Sequence, residues 1–442
     1  MFMSEQENPN NDPYFKTIGD LLSFIDNCPT PFHAVKESKE RLIDKGFKEL
    51  FEIESWDLSL GGRYFTTRND SSIIAFKIGG KAPQTTGYKI IGAHTDSPNL
   101  KLKPNSVYEK SGYLQLGVEV YGGVLLSAWT DRDLSLAGRV VLRESKNQLI
   151  TRLVKIDRPL LRVPQLAIHL NRQVNEKGLL LNKQTHMPPV FALIDEKLGG
   201  DCPLKKLISK ELDVKCEDIV GLELSLFDIQ KGTLSGLNNE FVHTARLDNL
   251  ASCHAALMAL EDGNAHDEST QVIVFYDNEE IGSESRQGAG SPFLKDVLER
   301  IQGNFEETRE AYLRAISKSF FISADMAHAI HPNYSDMHEP RHMPRINKGP
   351  VIKVNASQRY ATDAETSAHF ELLAEKAKVS LQTFVTRSDL GCGSTIGPIT
   401  AANLGIKTID IGNPMLSMHS IREMAGTKDH WDLIRVFLEY FN

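Results

Sequence analysis

The hydrophobic residues of this chain fall into two textures. At both ends of the sequence, short apolar runs rich in β-branched and aromatic residues alternate with stretches whose apolar positions recur at helical spacing. Amphipathic helices are predicted over residues 17–26 and 33–45, with the turn Cys28-Pro-Thr-Pro between them. Strands are predicted at 62–66, 72–78, 88–94, 272–276, 320–328, 350–355, 381–385 and, last of all, 407–411. Helices follow Asp248, cover 296–316 with a break near Gly303, and cover 362–378 and 429–440. Residues 1–13 read as a loose tail, and 81–87 and 282–290 as loops. From about 99 to 240 short alternating segments such as 113–120, 138–142 and 149–156 dominate, with loop and short helical pieces at 179–189 and 199–216. The pattern predicts an α/β catalytic domain made of 1–98 and 241–442, with a central, mostly parallel sheet flanked by helices. A β-rich domain, 99–240, is inserted into it.

Chemistry enters where the apolar runs stop. The run Val272 to Tyr276 ends in Asp277-Asn-Glu279-Glu280, and the run from Tyr88 ends in His94-Thr-Asp96. Phe320-Phe-Ile-Ser-Ala ends in Asp325, and the run 407–411 is followed by a short loop to His419. Asp248 stands at a helix start, where it serves equally well as an N-cap. Each has a bland reading: a solvated acidic turn for Glu279 and Glu280, a structural histidine for His94. Together they supply imidazoles and carboxylates at the ends of buried strands, where open α/β sheets bind ligands. That mixed nitrogen and oxygen set suits zinc or a similar divalent ion. Two ions need a shared carboxylate and terminal ligands, and the inventory leaves one glutamate over to act as a general base.

Other features narrow the field. The Gly391-Cys-Gly393-Ser-Thr-Ile-Gly397 stretch lacks the spacing of a dinucleotide or phosphate loop, and no Gly-x-Ser-x-Gly elbow is present. A net charge of −8 without a long basic run argues against nucleic acid. No window approaches a membrane span, and the N-terminal residues resemble neither a signal nor a transit peptide. Five scattered cysteines, odd in number and without CxxC spacing, point to a reducing cytoplasmic setting. His169, in an apolar context, reads as a core or interface histidine, and Lys353 as a surface lysine on an edge strand.

The motifs AHTDSP at 93–98, ARLDNL at 245–250, DNEEIGS at 277–283, ADMAHA at 324–329 and MHS at 418–420 resemble the aspartyl aminopeptidases, cytosolic dinuclear zinc exopeptidases. The resemblance runs from CPTPFHAV at 28–35 to the final helix. It implies that His94 and Asp325 hold one metal ion, Glu280 and His419 the other, and that Asp248 bridges them. Zinc is expected, and manganese or cobalt suit the same donors. It also implies that Glu279 is the base toward a metal-bridging water, with Asp96 behind His94. Lys353 would meet an acidic P1 side chain, and His328 and Tyr360 would line the substrate pocket. The insert would be a dimerisation domain, the assembly a tetrahedral dodecamer, and His169 would reach a neighbouring subunit's site. The substrates would be peptides with a free N-terminus, with Asp or Glu preferred. The same ligand set would also serve a dinuclear carboxypeptidase or deacylase, and a metal-loaded assembly protein without catalysis is the non-enzymatic alternative.

Overall fold

The structure, a computed structural model, describes residues 13–194, 202–263 and 267–442. The tail expected over 1–13 lies outside the described residues except for its last position, as does the start of the 199–216 stretch. The chain packs as two units. One comprises Met1–Asp96, Gly232–Met418 and Glu423–Asn442, and the other Ser97–Lys231 and His419–Arg422.

The first unit is built on a nine-stranded sheet. Its centre is the parallel set Thr270–Tyr276, Tyr88–His94, Phe320–Ala324 and Lys407–Gly412. Residues alternate strictly between two cores. Ile273, Phe275, Ile91, Ala93 and Ile322 face one, which is filled by Phe24, Ala34, Leu250, Leu257 and Phe437 from helices Pro13–Asn27, Pro31–Asp44, Leu247–Asp262 and Thr427–Phe441. Val272, Val274, Tyr276, Ile90 and Phe321 face the other, against Phe293, Val297, Tyr312 and Ile396. Burial on both faces explains why these strands read as continuous apolar runs. Each fully buried aromatic such as Phe275 or Phe321 contributes roughly 1.5–3 kcal/mol. The register sets Tyr276 beside His94 and Ala324 beside Ile411, so the carboxyl ends of the central strands finish together.

Several local expectations change. The strand 407–411 is not the last, because Pro414–Leu416 and Glu423–Gly426 follow and join a separate five-stranded sheet with Thr233–Ser235, Phe241–Thr244 and Ala327–His328. Strands this short carry no readable period; neighbouring backbones specify them. A helical turn, Pro83–Thr86, interrupts the predicted 81–87 loop and has proline in its first turn. Strand Val351–Val354 lies between Lys407–Gly412 and Gln382–Val385, so Lys353 is neither on an edge nor exposed.

The second unit is a six-stranded, wholly antiparallel sheet running from Gln148–Lys155 through Leu134–Ser145, Ile219–Asp228, Asn99–Lys110 and Tyr113–Tyr121 to Val190–Leu193. Leu136, Val140, Leu226 and Leu204 and Ile208 of helix Pro203–Leu212 share its core.

Helix Leu247–Asp262 carries a buried acid in its last turn. Burial pushes the Glu261 carboxyl up to about 7, against the opposing pull of Lys45 and Arg41. Its place in the last helical turn adds to the cost, since the dipole there disfavours anions. An acid whose folded pKa lies above its unfolded value costs stability as pH rises from the lower value to the higher. Glu261→Gln is therefore expected to melt above the parent protein at about pH 8, with the gap closing toward about pH 4, in thermal denaturation across pH.

Candidate active site

His94 ends its strand and is 1% exposed. Its carbonyl accepts from Cys253 Sγ at 3.1 Å, and its Nδ1 lies 3.0 Å from the Asp96 carbonyl and 3.3 Å from Asp96 Oδ1. That leaves Nε2 facing outward from the strand end, 3.4 Å from Asp248 Oδ1, 3.6 Å from Asp325 Oδ1 and 4.0 Å from Glu279 Oε2.

Strand Thr270–Tyr276 delivers the two glutamates through a turn. Asn278 takes the left-handed conformation at φ 65°, which asparagine tolerates, and Glu279–Ile281 form one tight helical turn. Asp96 fixes this turn: Oδ1 accepts the Glu279 N–H and Oδ2 accepts the Glu280 N–H, both at 3.1 Å. With both backbones held, Glu279 places Oε2 4.0 Å from His94 Nε2 and Glu280 offers a ligand atom close to those of His94 and Asp248. The Asn278 side chain, accepting from Ser285 and Gln287, secures the return of the loop.

Asp248 sits at a kink near the start of helix Leu247–Asp262, with a non-helical φ/ψ of −81°, 103°. Its N–H donates to Glu423 Oε2 at 3.1 Å, while Asn249 Nδ2 donates to the Ala324 carbonyl at 2.8 Å, tying the helix start to the strand that precedes Asp325. Asp325 in turn donates its N–H to the Ile411 carbonyl at 2.9 Å. The next residue along that strand, Gly412, approaches so closely that an added Cβ would sit 1.7 Å from the Asp325 carbonyl oxygen.

Among the described residues, His94, Asp248 and Glu280 each offer a ligand atom within 4.8 Å of the others. Burial disfavours the charged form of His94, but Asp248, Asp325 and Asp96 outweigh it and hold its pKa well above the ordinary value. Burial drives the Glu279 carboxyl well up; His94 opposes this, while Asp325, Glu280 and Asp96 reinforce it. Carboxylates crowded around one imidazole at low exposure fit a divalent cation, whose charge turns their mutual repulsion into attraction.

His328 and Tyr360 line a cavity of about 280 Å³ together with Phe384, Arg387, Met415 and Met418. Lys353, 2% exposed, points its ammonium at Asp325 Oδ2, 3.5 Å away. His419 packs with the second unit, its Nδ1 3.1 Å from the Gly123 carbonyl, and His169 is exposed on a turn of that unit. Glu423, Asn249, Gly412 and Arg387 were not anticipated. Only the close Arg387-Ser-Asp389 charge pair gave a readable signal.

Because Asp96 holds two backbone N–H groups and flanks His94, Asp96→Ala is expected to weaken divalent-metal binding by about 10–100-fold. Chelator competition, with circular dichroism as the check on folding, reads this directly.

Residues 24–441 match the family described as aminopeptidase I zinc metalloprotease (M18). A probable M18 family aminopeptidase 2 of Clostridium novyi is 46% identical over 430 residues, 97% of this chain and 99% of that protein. The chain resembles a protein chain in the cryo-EM structure of the Ape4 and Nbr1 complex with a TM-score of 0.94 and 43% identity, over 97% of this chain and 86% of that one. It resembles the S. cerevisiae mApe1 dodecamer structure with a TM-score of 0.85 and 31% identity, over 97% of each chain. Over nearly its whole length, the chain belongs to the M18 family of zinc metalloprotease aminopeptidases.

Proposed function

We propose that the protein removes N-terminal aspartate or glutamate from peptides with a free α-amine, using two divalent ions, zinc in the first instance. His94 and Asp325 would hold one ion, Glu280 and His419 the other, with Asp248 shared. When bound, such ions polarise the scissile carbonyl and make water acidic enough to supply a nucleophile at neutral pH. Glu279 takes the proton from the attacking water and returns it to the departing amine, so the same carboxyl acts first as base and then as acid.

The observation that carries this reading is the Asp96 clamp. It fixes the Glu279 and Glu280 backbones at 3.1 Å each, so one carboxylate can serve as a ligand while its neighbour stays free for proton transfer. The acidic preference is supported by cationic groups nearby: Lys353 beside Asp325, and Arg387 on the cavity wall with His328. Self-association into a dodecamer, as in the mApe1 relative, is supported by the exposed Leu166, Leu170 and Leu180, at 62%, 75% and 89%. A reducing, cytoplasmic setting is supported by five free cysteines. Among the described residues no helix is long and apolar enough to cross a membrane.

Glu279→Gln is expected to keep its metal and lose about 10²–10⁴-fold in kcat on Asp-X and Glu-X dipeptides. Unchanged turnover would remove Glu279 from the mechanism. N-acetylation of the substrate should abolish cleavage, whereas a deacylase or carboxypeptidase would tolerate it. Placing aspartate at both Leu166 and Leu170 is expected to shift the assembly to smaller species in sedimentation velocity.

A further inference from the structure

The geometry points to Lys353 as a positioning residue that sets the orientation of the Asp325 carboxylate, in addition to any contact it makes with substrate. The two oxygens of Asp325 are divided between opposite partners. Oδ1 lies 3.6 Å from His94 Nε2, on the side where the ligand atoms gather, and Oδ2 lies 3.5 Å from Lys353 Nζ. Spanning the two partners fixes the tilt of the carboxylate plane, and an ammonium behind Oδ2 opposes rotation of that plane away from the ligand atoms.

The ammonium itself is held in place. It donates to the Met326 carbonyl at 3.2 Å and sits 5.2 Å above the Tyr360 ring. The backbones of both residues are attached to the same strand. Ile352, the residue before Lys353, is the register partner of Ile411, and the Asp325 N–H donates to the Ile411 carbonyl at 2.9 Å. Lys353 and Asp325 are therefore braced on the same strand. A lysine that is 2% exposed also requires a compensating anion, and Asp325 supplies it at no cost in exposure. Asp410, the other buried carboxylate near Lys353, is engaged by the Thr395 hydroxyl and by the Ala361 N–H at 2.6 Å.

This inference rests on the reading of Asp325 as a metal ligand, and its test is chosen to separate the two. Zinc affinity is measured on metal-free wild type, Lys353→Met and Lys353→Gln by chelator competition. Steady-state kinetics on Asp-X and Leu-X dipeptides follow after reconstitution. Positioning predicts that both variants bind zinc at least about tenfold more weakly, in the range that outer partners of metal ligands produce. It also predicts that kcat falls on both substrates alike. Lys353→Gln keeps a donor for the Met326 carbonyl, so it reports on the charge if Lys353→Met fails to fold. Wild-type zinc affinity and Leu-X kcat in the variants, with Asp-X alone impaired, would overturn the proposal and leave Lys353 a substrate anchor only. Asp325→Asn binding zinc as wild type does would instead overturn the ligand assignment beneath it.

Discussion

A carboxylate can be taken out of water only if something nearby answers its charge. The first unit concentrates this demand at the carboxyl ends of its central strands, where Asp96, Asp248, Glu279, Glu280 and Asp325 gather around His94. Asp96 meets the demand with backbone N–H groups, Asp325 with Lys353, and the others face the imidazole and each other. The local geometry follows from this need. The tight Glu279–Ile281 turn, the non-helical Asp248 at the start of its helix and the strand contact at Gly412 all bring charged groups to one place.

The parallel sheet makes that convergence available. Strands buried on both faces by two separate cores are rigid, and their register brings the ends of neighbouring runs to the same level. Residues just beyond those ends therefore inherit positions fixed by apolar packing several residues earlier. Donors placed this way need little reorganisation when a cation binds, which is the property a metallohydrolase uses.

The division between stability and chemistry is visible in the same elements. Helix Leu247–Asp262 presents a continuous apolar face to the sheet in its middle, while its first turn is bent to aim Asp248 and its last turn accommodates the disfavoured Glu261. The packing of Leu250, Ala255 and Leu257 supports both departures from ideal helix chemistry.

The sequence alone determined the alternation of apolar strands and helices, because burial on two faces leaves long runs of β-branched and aromatic residues that no loop would carry. It also determined which polar residues follow those runs: His94, Glu279, Glu280 and Asp325 stood out because ionisable groups are costly to place at the ends of buried strands. Tertiary structure decided everything that depends on partners distant in sequence. It decided that Asp96 clamps the glutamate turn, that Asp248 at the helix kink reaches His94, and that Lys353 is buried against Asp325 and not displayed on an edge. It also decided that Glu423 and Asn249 brace the start of one helix. These contacts join strands and turns tens to hundreds of residues apart, and periodicity records which face a residue presents, never what stands opposite it.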